Sequence, residues 1–230
     1  MSFRLVAKRE ARRVMFVLIQ ILRCGSGRQH EGLKRLHWIH GLMSAKEDSG
    51  GCVVAKHLGN PFDYLILRFW QTPEAMARGT NRYYQDAWPL FPSNEPEGIY
   101  QTQNIHHHWE EVARTEGDSE GGLIWRLTSV VHDKDWPDFL KLREEAAAVM
   151  KVTGGLVSAR TYRSTEDAQH ALTLVRLRDR AALEAIEIEP QMVRLETAAL
   201  EISPPLEYPE LTVFANECFE VIDEYRAPAG

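Results

Sequence analysis

Gly50-Gly51-Cys52-Val53-Val54-Ala55-Lys56 and Gly154-Gly155-Leu156-Val157-Ser158-Ala159-Arg160 read as two versions of one segment, 104 residues apart. Tyr64-Leu65-Ile66-Leu67 through Glu74-Ala75-Met76 is matched by Ala171-Leu172-Thr173-Leu174 through Ala181-Ala182-Leu183, 107 residues further on. Self-similarity at one long period means that each copy is a supersecondary unit and that the chain is built as a pair. A period near 105 in a chain of 230 residues gives two small domains and rules out a solenoid of short repeats.

Working outward, each half carries the same run of elements. Val14–Leu22 reads as a strand, Gln29–Lys46 as a helix, and Cys52–Leu58 and Tyr64–Trp70 as a hairpin turning at Gly59-Asn60-Pro61. Thr72-Pro73-Glu74 opens a second helix with a hydroxyl cap, a proline that has no amide to waste, and an acid at the positive end of the dipole. Ile99–Trp109 is the fourth strand. In the second half Leu123–His132, Leu156–Tyr162, Leu172–Leu177 and Leu211–Ile222 are strands, and Trp136–Met150, a segment opened by Asp179, and Pro190–Leu200 are helices. The order βαββαβ, twice, is the ferredoxin-like unit, an antiparallel sheet with helices on one face. The bare faces of two such sheets can cover one another. The expected fold class is therefore α+β: two tandem ferredoxin-like domains packed sheet to sheet as a pseudo-dimeric α/β barrel. Its parts are a basic arm at 1–13, domains at 14–112 and 123–226, and a polar, glycine-rich linker at 113–122.

Composition narrows the class of function. A formal charge of −6 argues against a nucleic-acid partner, and the basic cluster Arg4, Lys8, Arg9, Arg12 and Arg13 reads as a solvated arm. No apolar run reaches the ~18 residues needed to span a bilayer, so no membrane partner is expected. Cys24, Cys52 and Cys218 are odd in number and far apart, which fits reduced thiols in a cytoplasmic protein. No glycine-rich phosphate loop, dinucleotide fingerprint, nucleophile elbow or CxxC motif occurs.

The stretch Phe69-Trp70-Gln71-Thr72-Pro73-Glu74-Ala75-Met76, its counterpart Leu172–Leu177 running into Asp179-Arg180-Ala181-Ala182-Leu183, and Trp125 with Phe139-Leu140 and Arg143-Glu144-Glu145-Ala146 resemble the dimeric α/β-barrel superfamily. The likeness is to its antibiotic-biosynthesis-monooxygenase branch, and it covers about residues 14–112 and 123–224. It implies a tryptophan-lined pocket at Trp70, in the first half only, because Leu177 stands at the matching place in the second. Other family positions depart. The oxygenases' asparagine and tyrosine are here Ile66 and Met76. The haem degraders' first-strand asparagine is answered only by Gln20, and their histidine by Thr80.

Strand alternation puts Tyr64, Ile66, Arg68 and Trp70 on one face and Leu65, Leu67 and Phe69 on the other. Leu65 and Leu67 match Leu172 and Leu174, which assigns that second face to the helices and leaves Tyr64, Arg68 and Trp70 at the junction of the halves. There they either fill space opposite small residues or line a pocket for a planar ligand, with Arg68 meeting an anionic oxygen. Tyr83, Tyr84, Trp88 and Phe91, among prolines, read as core or as a lid. Asn104, His106 and His108 share one face of the fourth strand; either histidine can act as a general base, or they make ordinary hydrogen bonds at a strand end. Paired with His37 or His40 they would give a metal set, but no metal is expected. The expected function is cofactor-independent oxidation of a planar aromatic or polyketide-like substrate. Trp70, Tyr83 and Tyr84 would stack that substrate, Arg68 or Asn104 would hold an oxyanion, and His106 or His108 would take the proton. The alternatives are a non-enzymatic haem- or small-ligand-binding or scaffold protein, and a cyclase or isomerase using the same pocket. Further pairing into a homodimer is left open.

Overall fold

The computed structural model describes residues 15–34, 49–82, 101–104, 108–206 and 216–225. The basic arm at 1–13 lies outside them. In the first half the elements are β1 (Phe16–Arg23), β2 (Ser49–His57), β3 (Asp63–Trp70), α1 (Pro73–Arg82), β4 (Gln101–Asn104) and β5 (Trp109–Glu116). Residues 29–34 are helical between β1 and β2. The second half holds β6 (Leu123–Val130), α2 (Trp136–Thr153), β7 (Leu156–Ser164), β8 (His170–Leu177), α3 (Arg180–Glu187), α4 (Pro190–Ile202) and β9 (Asn216–Tyr225).

The strands close into one antiparallel barrel. Their order is β3-β2-β9-β6-β8-β7-β5-β1, and β1 pairs back onto β3; β4 lies beside β1 just ahead of β5. Each half contributes the ferredoxin-like order, fourth strand, first, third, second. The halves are therefore joined edge to edge by hydrogen bonds at two seams, β2–β9 and β5–β7, as well as facing one another across the interior. Closure leaves neither of these edges open for pairing with another chain.

Register repeats as well as order. Phe16 lies opposite Trp70 as Leu123 lies opposite Leu177, an offset of 107. A bulge between Ser49 and Gly51 recurs between Leu156 and Ser158, again at 107. At the seams the bulge between Glu111 and Ala113 is matched by one at Val54/Ala55, where Val221 and Asp223 take the places of Glu111 and Ala113. This corrects the 104-residue match of the glycine pairs. Gly50 lies in β2, whereas Gly154 ends α2 with φ of 84°, a left-handed stop that a side chain would strain. Residues 113–116, expected in the linker, form the second half of β5 and pair with β7.

Three kinds of core follow from strand alternation. Val17, Ile19, Ile21, Val53, Leu65, Leu67, Ile124, Leu172, Leu174 and Phe219 fill the barrel interior. Leu123, Trp125, Leu127, Val175 and Leu177 face outward under the helices of the second half. In the first half Leu22, Cys52, Val54, Tyr64 and Ile66, and separately Phe16, Leu18 and Trp70, do the same. The faces of β3 are thus the reverse of the sequence expectation. The halves resemble each other most on Leu65/Leu172 and Leu67/Leu174 because both sheets share one interior there.

Asp179 caps α3, its carboxylate accepting from the Ala182 N–H at 2.8 Å. That hydrogen bond, and then Arg178, hold the carboxyl below its ordinary value. A depressed folded value means the cap contributes stability above the unfolded pKa of ~3.9 and loses it as pH falls through the folded value. The expected result is a melting-temperature gap between the native chain and Asp179→Ala at neutral pH that closes under acid; melts from pH 7 to pH 2 check it. Among the described residues no helix is long and apolar enough to cross a membrane.

Candidate functional site

On the helix side of β1 and β3 in the first half, the Arg68 Nη1 donates to Gln20 Oε1 at 2.9 Å. Both side chains are buried, Arg68 at 4% exposure and Gln20 at 2%. Leu18 lies opposite Arg68 and Phe16 opposite Trp70, while Gln20 lies between Ile66 on β3 and Asn104 on β4. Arg68, Trp70 and backbone position 104 are therefore gathered on one sheet face, with Gln20 between them. Gln20 has no evident role in the sequence beyond a failed asparagine match, because its partner is 48 residues away.

Trp70 is packed by Phe16, Leu18, Ala75 and Met76. Thr72 fixes the start of α1 by accepting from the Ala75 N–H at 3.1 Å, which lays the helix across the indole. Gly79 of α1 is the contact point: a Cβ there would stand 2.6 Å from the indole Nε1. Alanine is ordinarily better than glycine in a helix by about 1 kcal/mol. At Gly79 the expected result is the opposite, a net loss of about 1–2 kcal/mol from overpacking, with a shifted Trp70 emission, read by urea unfolding with fluorescence.

The second half shows what this sheet face needs for packing alone. With the 107-residue offset, Leu127 stands for Gln20, Val175 for Arg68 and Leu177 for Trp70. All three belong to an apolar core under α2 and α3. Burying a guanidinium costs several kcal/mol before compensation, so Arg68 is a departure that packing does not require. Cys52, opposite Arg68 on β2, has its thiol pushed up to about 12 by burial, against the pull of Arg68. It is therefore a core thiol at neutral pH.

His108 is held at the β5–β7 seam. Its carbonyl accepts from the Thr165 N–H at 3.0 Å and the Thr165 hydroxyl at 3.1 Å, and its Nδ1 lies 3.2 Å from Glu166 Oε1. His106, Tyr83 and Tyr84 lie outside the described residues, as do His37 and His40. Among the described residues no group of three or more His, Cys, Asp or Glu could hold a metal ion.

The barrel interior is polar at both ends. At one, Arg126 (1% exposed) pairs with Glu217, and His57 Nε2 lies 3.4 Å from the other oxygen of that carboxylate. Arg23 and Asp63 make a two-point ion pair at the same end, with both contacts 2.7 Å. At the other end is a cavity of about 830 Å³, floored by Val53, Leu67, Ile124 and Leu174. Its rim carries Arg176, which makes two contacts of 2.9 and 2.8 Å to Glu224. The segment 117–121 forms part of that rim because Gly117 and Gly121 approach the neighbouring backbone closely. A Cβ at either would lie about 2 Å from a carbonyl oxygen, 1.9 Å at Leu156 and 2.2 Å at Arg178.

No family model and no curated protein matches this sequence. Solved structures do match in shape. A monooxygenase candidate from Fusobacterium nucleatum superposes with a TM-score of 0.68 at 8% identity, over 95% of this chain and 97% of that one. An anthrone oxidase-like protein gives 0.65 at 10% identity, over 94% of each. A heme-degrading enzyme from Listeria monocytogenes gives 0.51 at 10% identity, over 89% of this chain and 98% of that one. At such identities the likeness speaks for architecture. The chain shares the barrel fold of these proteins, with both ferredoxin-type sheets supplied by one polypeptide.

Proposed function

We propose that this chain is a tandem duplicate of an antibiotic-biosynthesis-monooxygenase-like unit, and that its first half oxidises a planar aromatic or polyketide-like molecule without a bound flavin or metal. The observation that carries the reading is the buried Arg68–Gln20 pair on a sheet face that the second half fills with Val175 and Leu127. The repeated register and bulges of the two halves support the duplication.

In this reading the substrate supplies its own electrons. Loss of a proton from an activated ring carbon leaves an enolate, whose oxygen Arg68 or Asn104 holds by a hydrogen bond, charge-assisted in the case of Arg68. The electron-rich carbon then reduces dioxygen. For a substrate such as anthrone the balance is one molecule with one O2 giving the quinone and one water: one oxygen atom becomes the new carbonyl and the other leaves as water. Tyr83 and Tyr84 stack the rings, Trp70 walls the site, and His106 takes the proton. His108, engaged with Glu166, is the second candidate base.

The test is oxygen uptake by purified chain with anthrone, against a protein-free blank and an anaerobic control. The expected result is one O2 consumed per quinone formed, at a rate well above the blank. No uptake above the blank with any planar hydroxyaromatic would retire the proposal, and product formed without oxygen would replace it with a cyclase or isomerase. Adding hemin tests the binding-protein alternative, through a shifted Soret band that His106→Ala and His108→Ala abolish.

A further inference from the structure

The barrel cavity breaks the symmetry of the halves in the same manner as Arg68, but on the interior. Tyr162 and Arg160 on β7 occupy the places of Ala55 and Val53 on β2, and Glu111 on β5 occupies that of Val221 on β9. Ala55, Val53 and Val221 belong to the apolar barrel core or pack against it, so at these three positions one seam is apolar where the other is polar. The bulge between Glu111 and Ala113 turns Arg114 and Glu116 toward the same space as Glu111.

Tyr162 is fully buried, and its hydroxyl faces the Arg160 guanidinium. No hydrogen bond of good geometry reaches that hydroxyl, Arg160 Nε or Glu111 Oε2 among the described residues. The Arg160 guanidinium stands 3.9 Å from Glu111 and 3.8 Å from Glu116, too far for a hydrogen bond to either. It sits instead over the Phe69 ring at 6.0 Å. Burial raises the Tyr162 and Glu111 pKa values, so both protons are held more tightly than usual. Each buried polar group without a partner costs about 1–3 kcal/mol. Three such groups beside one cavity, absent from the matching seam, require an explanation.

We infer that the barrel cavity is a second small-molecule site, separate from the sheet face that carries Arg68, for a neutral apolar molecule bearing one hydrogen-bonding hydroxyl or carbonyl group. The apolar floor of Leu67, Ile124 and Leu174 takes the body, and Arg160 and Tyr162 take the head. Charge decides for a neutral ligand. On the cavity lining arginines 114, 160 and 176 are balanced by carboxylates 116, 120 and 224, leaving no net charge for an ion. What is on offer is one donor and one hydroxyl that both donates and accepts. The volume lies within the range of ligand pockets.

Calorimetric or fluorescence titration with 2-naphthol tests this, with naphthalene and naphthalene-2-sulfonate as controls. Binding of 2-naphthol should exceed that of either control by about tenfold or more. The titrations are run in the Arg68→Met chain, so that hydroxyaromatic binding at the first-half site does not contribute and a failed oxygenase reading would not touch the result. There Tyr162→Phe should bring 2-naphthol down to the naphthalene level. Leu174→Trp, checked for folding by circular dichroism, should abolish binding of all three probes. Absence of 2-naphthol binding, equal binding of naphthalene, preference for the sulfonate, or unchanged 2-naphthol binding in Tyr162→Phe would each overturn the inference.

Discussion

Arg126→Met is expected to cost about 3–5 kcal/mol of folding stability. Arg126 is 1% exposed on β6 and paired with Glu217 on β9, so the substitution leaves a carboxylate buried among apolar barrel residues. Burial lowers the Arg126 pKa while Glu217 raises it again, which locates the desolvation penalty on the cation itself. The attraction repays that penalty only while both partners are present. Arg126→Met combined with Glu217→Leu should therefore recover most of the loss, because two apolar side chains remove both desolvation terms together. His57 softens the single substitution somewhat, since its Nε2 lies 3.4 Å from Glu217 and can offer it a proton. Equilibrium urea unfolding of the four chains measures the coupling. If the single and double variants fall by equal amounts, the pair is not what holds that end of the barrel together.

Arg68→Met is expected to lower the rate of substrate-dependent oxygen uptake by about 10²–10³-fold, the usual consequence of removing one donor to a developing oxyanion. The loss should appear in kcat, with KM changed little, because the charge it meets grows only as the proton leaves. Methionine approximates the length of the aliphatic stem and suits an apolar sheet face, as Val175 does in the second half. A chain that unfolds would lose activity for a trivial reason, so the melting curve accompanies the kinetics. A change confined to KM would make Arg68 a binding residue only.

Much of the fold was legible because its signals are local. The apolar runs Phe16–Arg23 and Asp63–Trp70 and the caps at Thr72 and Asp179 each need only a few neighbouring residues to read. What misled were inferences that depend on partners. The paired glycines suggested a 104-residue offset, yet Gly154 stops a helix while Gly50 lies in a strand. Likeness between Leu65 and Leu172 suggested a helix-covered face, yet in a closed barrel the common interior is where both halves meet the same constraint. Residues 113–116 looked like linker because they are small or polar and none of them is buried. At the candidate site, Arg68 and Trp70 were recognisable as large residues without large counterparts. Gln20 was not, since a glutamine within an apolar strand gains meaning only when Arg68 is seen across the sheet. Arg160, Tyr162 and Glu111 drew no notice for the same reason, being ordinary residues until a seam brings β5 and β7 together.

The most direct measurement rebuilds the first half in the image of the second. Gln20→Leu with Arg68→Val copies Leu127 and Val175 into the matching positions and leaves the rest of the chain intact. Oxygen consumption with anthrone, followed together with thermal unfolding, should show a chain at least as stable as the native one that no longer turns over above the protein-free blank. A variant that folds and still consumes oxygen at the native rate would contradict the assignment of the chemistry to that face.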